Sequence, residues 1–390
     1  MADVKTSRIP LCDPTLGGNE WQYVRECLDT NWVSSAGPFV HRFEQEMARY
    51  VGAQYAVAVV NGTAALHVAL QVAGIRPNDE VVMPALTFIA PANAVRYCGA
   101  WPVFLDVDPQ FWQMDPQRLA DFLNGACRYR EGGLWNKTTG RRVRGILPVH
   151  ALGHPVDMDP VMELSRKYGL IVIEDATESL GAEYRGKKVG TLGDLSCLSF
   201  NGNKLITTGG GGMVLTDRRE WAEKVRYLTT QAKDDPIGYV HNEIGYNYRL
   251  TNIQAAVGCA QLERIDEHIA AKRRIAARYT QAFAETAGLL CMREAPWARS
   301  VFWLFTILLD PARCGLGNRR LLDRLDAAGI QTRPLWQPLH LSPAHRGCPA
   351  YQCDEAARIA DRSLSLPSSV ALREEEQCRV IQAVQRLVTV

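Results

Sequence analysis

Lys204 stands in SFNGNKLITTGGGGMV (199–214), a few residues before four consecutive glycines, Gly209–Gly212. A lysine beside a glycine run suggests a phosphate loop. That loop needs G-x-x-x-x-G-K-[ST], with the lysine last and a helix behind it. Here the lysine comes first and the glycines lead into the strand-like MVLT. The glycines are therefore expected to serve the backbone, through unusual angles and close approach to something packed nearby, and the lysine is left to carry the chemistry. A carboxylate is placed to join it. In LIVIEDATES (170–179) an apolar strand ends at Glu174–Asp175, and open α/β sheets bind ligands beyond the carboxyl ends of their strands. Alone, Asp175 is as readily a cap for the following turn. Lys204, however, follows the next apolar strand, LSCLSF. If the two strands are near neighbours, Asp175 and Lys204 converge on one pocket.

An acid and a lysine facing each other across a planar ring are what pyridoxal phosphate needs. The lysine amine forms a Schiff base with the aldehyde, and the carboxylate keeps the pyridine nitrogen protonated so that the ring can accept electrons. The phosphate needs backbone N–H donors at a helix start. Asn61-Gly62-Thr63 offers them, following the strand YAVAVV and opening the helical GTAALHVAL. Ser199 adds a hydroxyl. Phe88, in PALTFIAPAN after the next strand, is an apolar cover for the ring, although a phenylalanine after a strand is more often core. Other candidates are weaker. His150 and His154 have H-x-x-x-H spacing, but Gly153 and Pro155 put them on a loop, so a structural role near the pocket is expected and no metal site. AKRRIAARY (271–279) reads as the solvated face of a helix, and Cys197 as core. The basic, turn-rich segment 127–145 reads as a solvated hairpin, with a grip on a phosphorylated ligand as the alternative.

The elements that must position these residues are legible from periodicity. Val57–Val60, Glu80–Met83, Val103–Val107, Gly145–Val149, Leu170–Glu174, Leu195–Phe200 and Gly212–Thr216 are short apolar runs. Helix-length segments separate several of them, which predicts an α/β fold with a largely parallel sheet covered on both faces. Trp21, Val24 and Leu28 predict a docked amphipathic helix. Thr251 and Gln254 have capping-box spacing and are expected to open one long helix running to Phe283. A smaller α/β unit should follow, with a strand at 301–309, a helix near 318–328 and two late helices. The expected domains are 1–255 and 256–390.

Composition sets the class. Of 390 residues, 47% are hydrophobic and 22% charged, which is ordinary for a globular protein. A net charge of +2 argues against a nucleic-acid footprint. Eleven cysteines without a C-x-x-C pair suggest free thiols rather than a disulfide framework or zinc cluster. MADVKTSRIP has no signal-peptide core, and VFWLFTILL (301–309) is too short to span a bilayer. A soluble cytoplasmic protein is expected.

Together the motifs NGTAAL, MPALTFIAPANA, PVHALGHPVDM, EDATESLGA, GDLSCLSFNGNKLITTGGGG and GYNYRLTNIQAA are similar, in order and spacing, to the DegT/StrS group of nucleotide-sugar aminotransferases. The resemblance runs from NWVSSAGPFVHRFE to GIQTRPLWQPLH. It implies a fold-type I pyridoxal-phosphate enzyme with a mostly parallel seven-stranded sheet and a smaller C-terminal α/β domain. Lys204 then corresponds to the Schiff-base lysine, Asp175 to the partner of the pyridine nitrogen, Gly62, Thr63 and Ser199 to the phosphate cradle, and Phe88 to the ring-stacking residue. Asn247 corresponds to a residue that reaches the phosphate from the other subunit of a homodimer. Trp32, Ser35, Arg249, Trp336 and His340 lie where relatives line the sugar-nucleotide pocket. Glu178 departs from the pattern, since many relatives have Gln or His beside the cofactor's ring oxygen. A carboxylate there leaves two acceptors without a donor, so Glu178 is expected to share or hold a proton, raised by the like charge.

The implied reaction has two halves, in which Lys204 moves a proton as base and then acid. L-glutamate first gives its amino group and leaves as 2-oxoglutarate. A keto-sugar nucleotide then receives the amine. NWVSSAGPFV and TRPLWQPLH look most like relatives acting on UDP-linked 4-keto-6-deoxy-N-acetylhexosamines, which suggests a UDP-sugar C4 aminotransferase. Transfer at C3, dTDP- or GDP-linked sugars, and a non-catalytic cofactor-binding regulator are the alternatives. Family members that act as 3-dehydratases replace the lysine with histidine, and Lys204 argues against that class.

Overall fold

A computed structural model describes residues 8–388 apart from Pro236. Helices α1 (Glu20–Asp29) and α2 (Pro38–Val51) lead into β1 (Tyr55–Val59), α3 (Gly62–Val72), β2 (Glu80–Pro84), α4 (Ala90–Tyr97), β3 (Trp101–Leu105) and α5 (Pro116–Asp121). A hairpin of β4 (Cys127–Arg130) and β5 (Gly133–Asn136) precedes β6 (Arg142–Ile146), α6 (Met158–Tyr168), β7 (Ile171–Asp175) and the short pair β8 (Glu183–Tyr184) and β9 (Lys187–Lys188). Then come β10 (Leu195–Ser199), β11 (Gly212–Thr216), α7 (Arg219–Thr229), α8 (Asn252–Leu262) and α9 (Ile265–Phe283).

The main sheet has ten strands rather than the expected seven, and its central run is β1-β11-β10-β7-β6-β2-β3, with the β4–β5 hairpin and a short late strand added at its margins. Every predicted apolar run is in it. β11 is antiparallel to both neighbours, and the other neighbouring pairs of that run are parallel. One consequence decides the site: the carboxyl ends of β1, β2, β7 and β10 and the amino end of β11 all lie on one edge. The strands are buried on both faces, which is why they read as continuous rather than alternating apolar runs.

The rest of the chain forms β12 (Leu289–Cys291), β13 (Ala298–Arg299), β14 (Phe305–Leu309), α10 (Pro311–Cys314), α11 (Asn318–Ala327), β15 (Ala350–Tyr351), α12 (Asp354–Arg362), β16 (Ser363–Leu366) and α13 (Glu374–Val388). β12, β14 and β16 make a second, antiparallel sheet, while β15 returns to the outer edge of β3.

Three further expectations need correction. α1 does not dock through Trp21 and Leu28, which are 81% and 56% exposed. It is held instead by Tyr23, whose hydroxyl donates to Glu263 (2.6 Å), by buried Cys27, and by buried Glu20, which accepts from Gln261. The long helix after the Thr251–Gln254 capping box is interrupted at Glu263–Arg264, giving α8 and α9. AKRRIAARY is not simply a solvated face, because Lys272 is fully buried along with Ile275, Ala276 and Tyr279.

The segment 127–145 does form a hairpin, β4–β5, whose second strand pairs with the first residues of β6, but it is not simply solvated, because Cys127, Leu134 and Asn136 are buried. The first residues of β6 are the amino end of a parallel strand, opposite the edge carrying Lys204. A grip by this hairpin on a ligand at that edge is not supported.

Candidate active site

The shared edge is hollowed into a cleft of about 430 Å³. Asp175, the last residue of β7, sits in register with Cys197 of β10, so the two strands that carry Asp175 and Lys204 are direct neighbours. Gly62, Thr63, Phe88, Asp175, Glu178, Ser199, Lys204 and Trp336 all line this one cleft.

Each is fixed by a local cause. Asn61 caps α3, its side chain accepting from Ala64 N, and Ala65 N donates to Asn61 O. The amides of Gly62 and Thr63 precede these bonds, so they are among the first-turn donors that a helix cannot satisfy itself. Gly62 is required by space: a Cβ there would lie 2.8 Å from Ser199 Cβ. Gly212 pairs with Val59 on one side and Ser199 on the other, and a Cβ on it would come within 2.5 Å of the Asn61 carbonyl. Gly209 and Gly211 have φ of +78° and +157°. The glycine run thus brings β11 hard against the start of α3, as its expected backbone role requires.

Phe88 is not core but 53% exposed, offering a bare ring to the cleft.

Besides Arg333, the cleft's charged side chains are Lys204, Glu178 and Asp175. Lys204 Nζ lies 3.5 Å from Glu178 Oε1 and 4.1 Å from the centre of the Trp303 ring. Glu178 Oε2 accepts from Leu152 N at 2.8 Å. Burial pushes the Glu178 carboxyl up, against Lys204 and the Leu152 amide, with Asp175 adding to the rise. The direction is the expected one, but burial, not like charge, is its larger cause. Asp175 is raised too, by burial opposed by hydrogen bonds from Thr177. Neighbouring Glu174 differs. Burial alone would raise it, but hydrogen bonds from His150 and the amides of Gly190, Leu192 and Gly193 outweigh that and hold it low.

These residues fit pyridoxal phosphate on the geometry alone. A helix start whose first amides have no partner within the helix suits an anion, an acid sits at a strand end, a half-exposed phenylalanine can lie on a flat ring, and a lysine supplies the amine. Residues 14–385 match the DegT/DnrJ/EryC1/StrS aminotransferase family. The chain belongs to it. GDP-perosamine synthase of Caulobacter vibrioides is 43% identical over 385 residues, covering 97% of this chain and 98% of that one. GDP-perosamine synthase of Escherichia coli O157:H7 is 40% identical over 379 residues, 96% and 97% of the two chains. Among solved structures, DesV of S. venezuelae superposes with a TM-score of 0.87 at 32% identity, covering 99% and 100%. This chain is a pyridoxal-phosphate-dependent nucleotide-sugar aminotransferase of fold type I.

The aminotransferase fold does not bring every expected residue into this cleft. Ser35, Asn247 and Arg249 line a separate hollow of about 360 Å³, with Arg226 and Lys233. Trp32 is 50% exposed on the surface. His340 lies in the turn Leu339–Leu341, beside Ala85 at the end of β2, and its Nδ1 is buried without a partner among the described residues.

His150 and His154 are structural. His150 donates through Nε2 to Glu174 (3.0 Å) and accepts from Val156 N. His154 donates to Pro155 O and accepts from Ala295 N. The described residues hold no metal-binding cluster. Thr177, Asn201, Asn203, Trp303, Arg333 and Ser365 also line the cleft and were missed. Trp303 has a signal, an indole in the apolar run 301–309, but it sits in the bend just before β14, and hydrophobicity alone does not mark it as a cleft residue.

Proposed function

We propose that this aminotransferase moves the amino group of L-glutamate onto the C4 carbonyl of a nucleotide-linked 4-keto-6-deoxy sugar, releasing 2-oxoglutarate and a 4-amino sugar. The observation that carries it is the convergence of Lys204, Asp175 and Glu178 on one cleft beside the unsatisfied amides of α3. Lys204 holds the cofactor and, once released, takes a proton from the donor's α-carbon and returns it one carbon away, as base and then acid. Bound pyridoxal phosphate supplies the reactive aldehyde and a ring that takes up the electron pair left when that proton departs. Asp175 keeps the ring nitrogen charged. Gly62, Thr63 and Ser199 hold the phosphate, Phe88 covers one ring face, and Glu178 shares a proton beside the ring oxygen.

Two copies are proposed to pair so that each lends Asn247 to the other's phosphate. The hollow that holds Asn247 and Arg249 apart from their own chain's cleft supports this. Trp32, Ser35, Arg249, Trp336 and His340 are assigned to the sugar nucleotide. The names of the two GDP-perosamine synthases favour a GDP-linked sugar. The motifs NWVSSAGPFV and TRPLWQPLH keep a UDP-linked N-acetylhexosamine as the second reading. A cytoplasmic setting is supported by eleven cysteines that are all free thiols.

The test is a panel of GDP-, UDP- and dTDP-linked 4-keto-6-deoxy sugars with L-glutamate, read by NMR of the product. The holoenzyme should be yellow, lose its visible band on adding L-glutamate, and be trapped by borohydride at Lys204. A colourless protein that ignores glutamate would overturn the proposal in favour of a non-catalytic role.

A further inference from the structure

A lysine that transfers a proton must be free of the cofactor at that moment, yet stay within reach. The structure shows what this amine contacts: Lys204 Nζ lies 3.5 Å from the Glu178 carboxylate and over the face of Trp303, 4.1 Å from the ring centre. Trp303 is almost fully buried and pinned from several sides. Its Nε1 donates to Asn203 O at 2.7 Å, next to Lys204 in sequence. Its own carbonyl accepts from Lys272 Nζ at 2.8 Å. Lys272 in turn reaches Ser368 O and Cys12 Sγ, and Cys12 Sγ donates to the same Asn203 carbonyl at 3.4 Å. The contacts close a ring around the turn that bears Lys204. Phe302, just before the indole, is held at φ +48°, and such strain in a non-glycine residue persists only where the surroundings enforce it. A Cβ on Gly153 would lie 2.7 Å from Trp303 N, so the backbone is gripped as well.

We propose that Trp303 is a positioning residue whose indole face, together with Glu178, is the seat of the Lys204 ammonium between the two proton transfers. This rests on Lys204 being the proton-transferring amine of the proposed reaction. In the first transfer the donor's Cα–H bond breaks and an N–H bond forms on Nζ, the electron pair passing to the cofactor's ring. The second transfer returns the same proton, so no external acid or oxidant is consumed. An ammonium over an indole is favoured by the ring's negative face, and the seat stabilises lysine in the form it must hold briefly.

Three replacements separate the seat from mere packing. Trp303→Phe keeps an aromatic face but loses the bond to Asn203. Trp303→Leu loses both. Fluorinated tryptophan weakens the face without changing its shape, and the same labelling in a Trp303→Phe background subtracts the remaining tryptophans. In the apoenzyme, reductive methylation of Lys204, followed by mass spectrometry, should be roughly 2- to 30-fold faster in Trp303→Leu. It should rise stepwise with fluorine number and stay near wild type in Trp303→Phe. In the holoenzyme, Trp303→Leu should raise the primary isotope effect for 2-deuterated glutamate and lower kcat by a similar factor, with KM for glutamate unchanged. If Phe and Leu behave alike, or fluorination changes nothing, the indole acts only as packing and the proposal is overturned. Should Trp303→Leu fail to fold, the fluorination series decides alone. Borohydride trapping at a residue other than Lys204 would remove the proposed reaction and the seat together, whereas trapping at Lys204 with flat fluorination data removes the seat only.

Discussion

Two buried carboxyls and one amine share a cleft, and the balance among them governs what the site can do. Glu178 is raised by burial despite Lys204 beside it, so the native state holds its proton to higher pH than the unfolded chain does. The unfolded glutamate releases its proton near its ordinary value of about 4.3. Apoenzyme stability therefore falls as pH rises from that range through the raised folded value. Glu178→Gln lacks this share, so its melting temperature relative to wild type should climb with pH and the difference should vanish at pH 4 and below. Thermal melts of both apoenzymes between pH 4 and 8 measure it, and parallel profiles would show that Glu178 is not the raised group. Lys204→Ala should lower transamination by about 10²- to 10⁴-fold with the fold unchanged by circular dichroism. Lys204 and Asp175 were legible in the sequence because their chemistry needs strand ends, and strand ends are marked by apolar runs, whereas Glu178 was reached only through the resemblance to the family. Trp303 and the buried Lys272 were legible in neither way. Their roles depend on which segment folds over the cleft, and that is set by packing far along the chain.

At the scale of elements, the glycine run and the start of α3 are one device. Gly62 meets Ser199, and Gly212 meets Asn61, at distances that leave no room for a side chain. Gly62→Val and Gly212→Val should each cost about 1–3 kcal/mol of stability through overpacking and weaken cofactor binding at least about tenfold, because the start of α3 must shift away from where the cofactor's phosphate is proposed to bind. Equilibrium dialysis against pyridoxal phosphate checks this, and wild-type affinity with a displaced melt would confine the effect to packing. A second element-scale prediction concerns His154, which links Pro155 to Ala295. Burial lowers it to about 4. In the unfolded chain it charges near 6.5, so its share of stability is present above that value and lost as pH falls from about 6.5 to 4. By linkage the loss reaches roughly 3 kcal/mol at most. His154→Gln should flatten that limb of a urea-denaturation profile against pH, and an unchanged limb would assign it to other groups. Elements were the most legible level: the seven central strands of the sheet, the β4–β5 hairpin and the Thr251 cap follow from local pattern. α1 and α9 misled, since an apolar stripe signals burial without saying against what, and a lysine within a basic run gives no sign that it alone turns inward.

The outward face of α1 is a question for the whole molecule. Trp21 and Leu28 stand in solvent together with Trp32, while Ser35, Asn247 and Arg249 line a hollow that their own Lys204 does not share. Large exposed apolar groups mark contact surfaces, and a two-fold pair would give each copy the residues its cleft lacks. Mixing disabled subunits tests this directly. Lys204→Ala lacks the amine, and an Asn247→Ala, Arg249→Ala double variant lacks the groups to be lent. Each should be inactive or nearly so as a pure protein. Co-expressed in equal amounts with different tags, half of the pairs should be mixed, and each mixed pair carries one site with both lesions and one with neither. Recovery of about a quarter of wild-type activity is expected, concentrated in the fraction that carries both tags. A doubly tagged fraction with no activity would show that Asn247 and Arg249 serve their own chain. A single-chain mass in sedimentation, with full activity, would remove the shared site altogether.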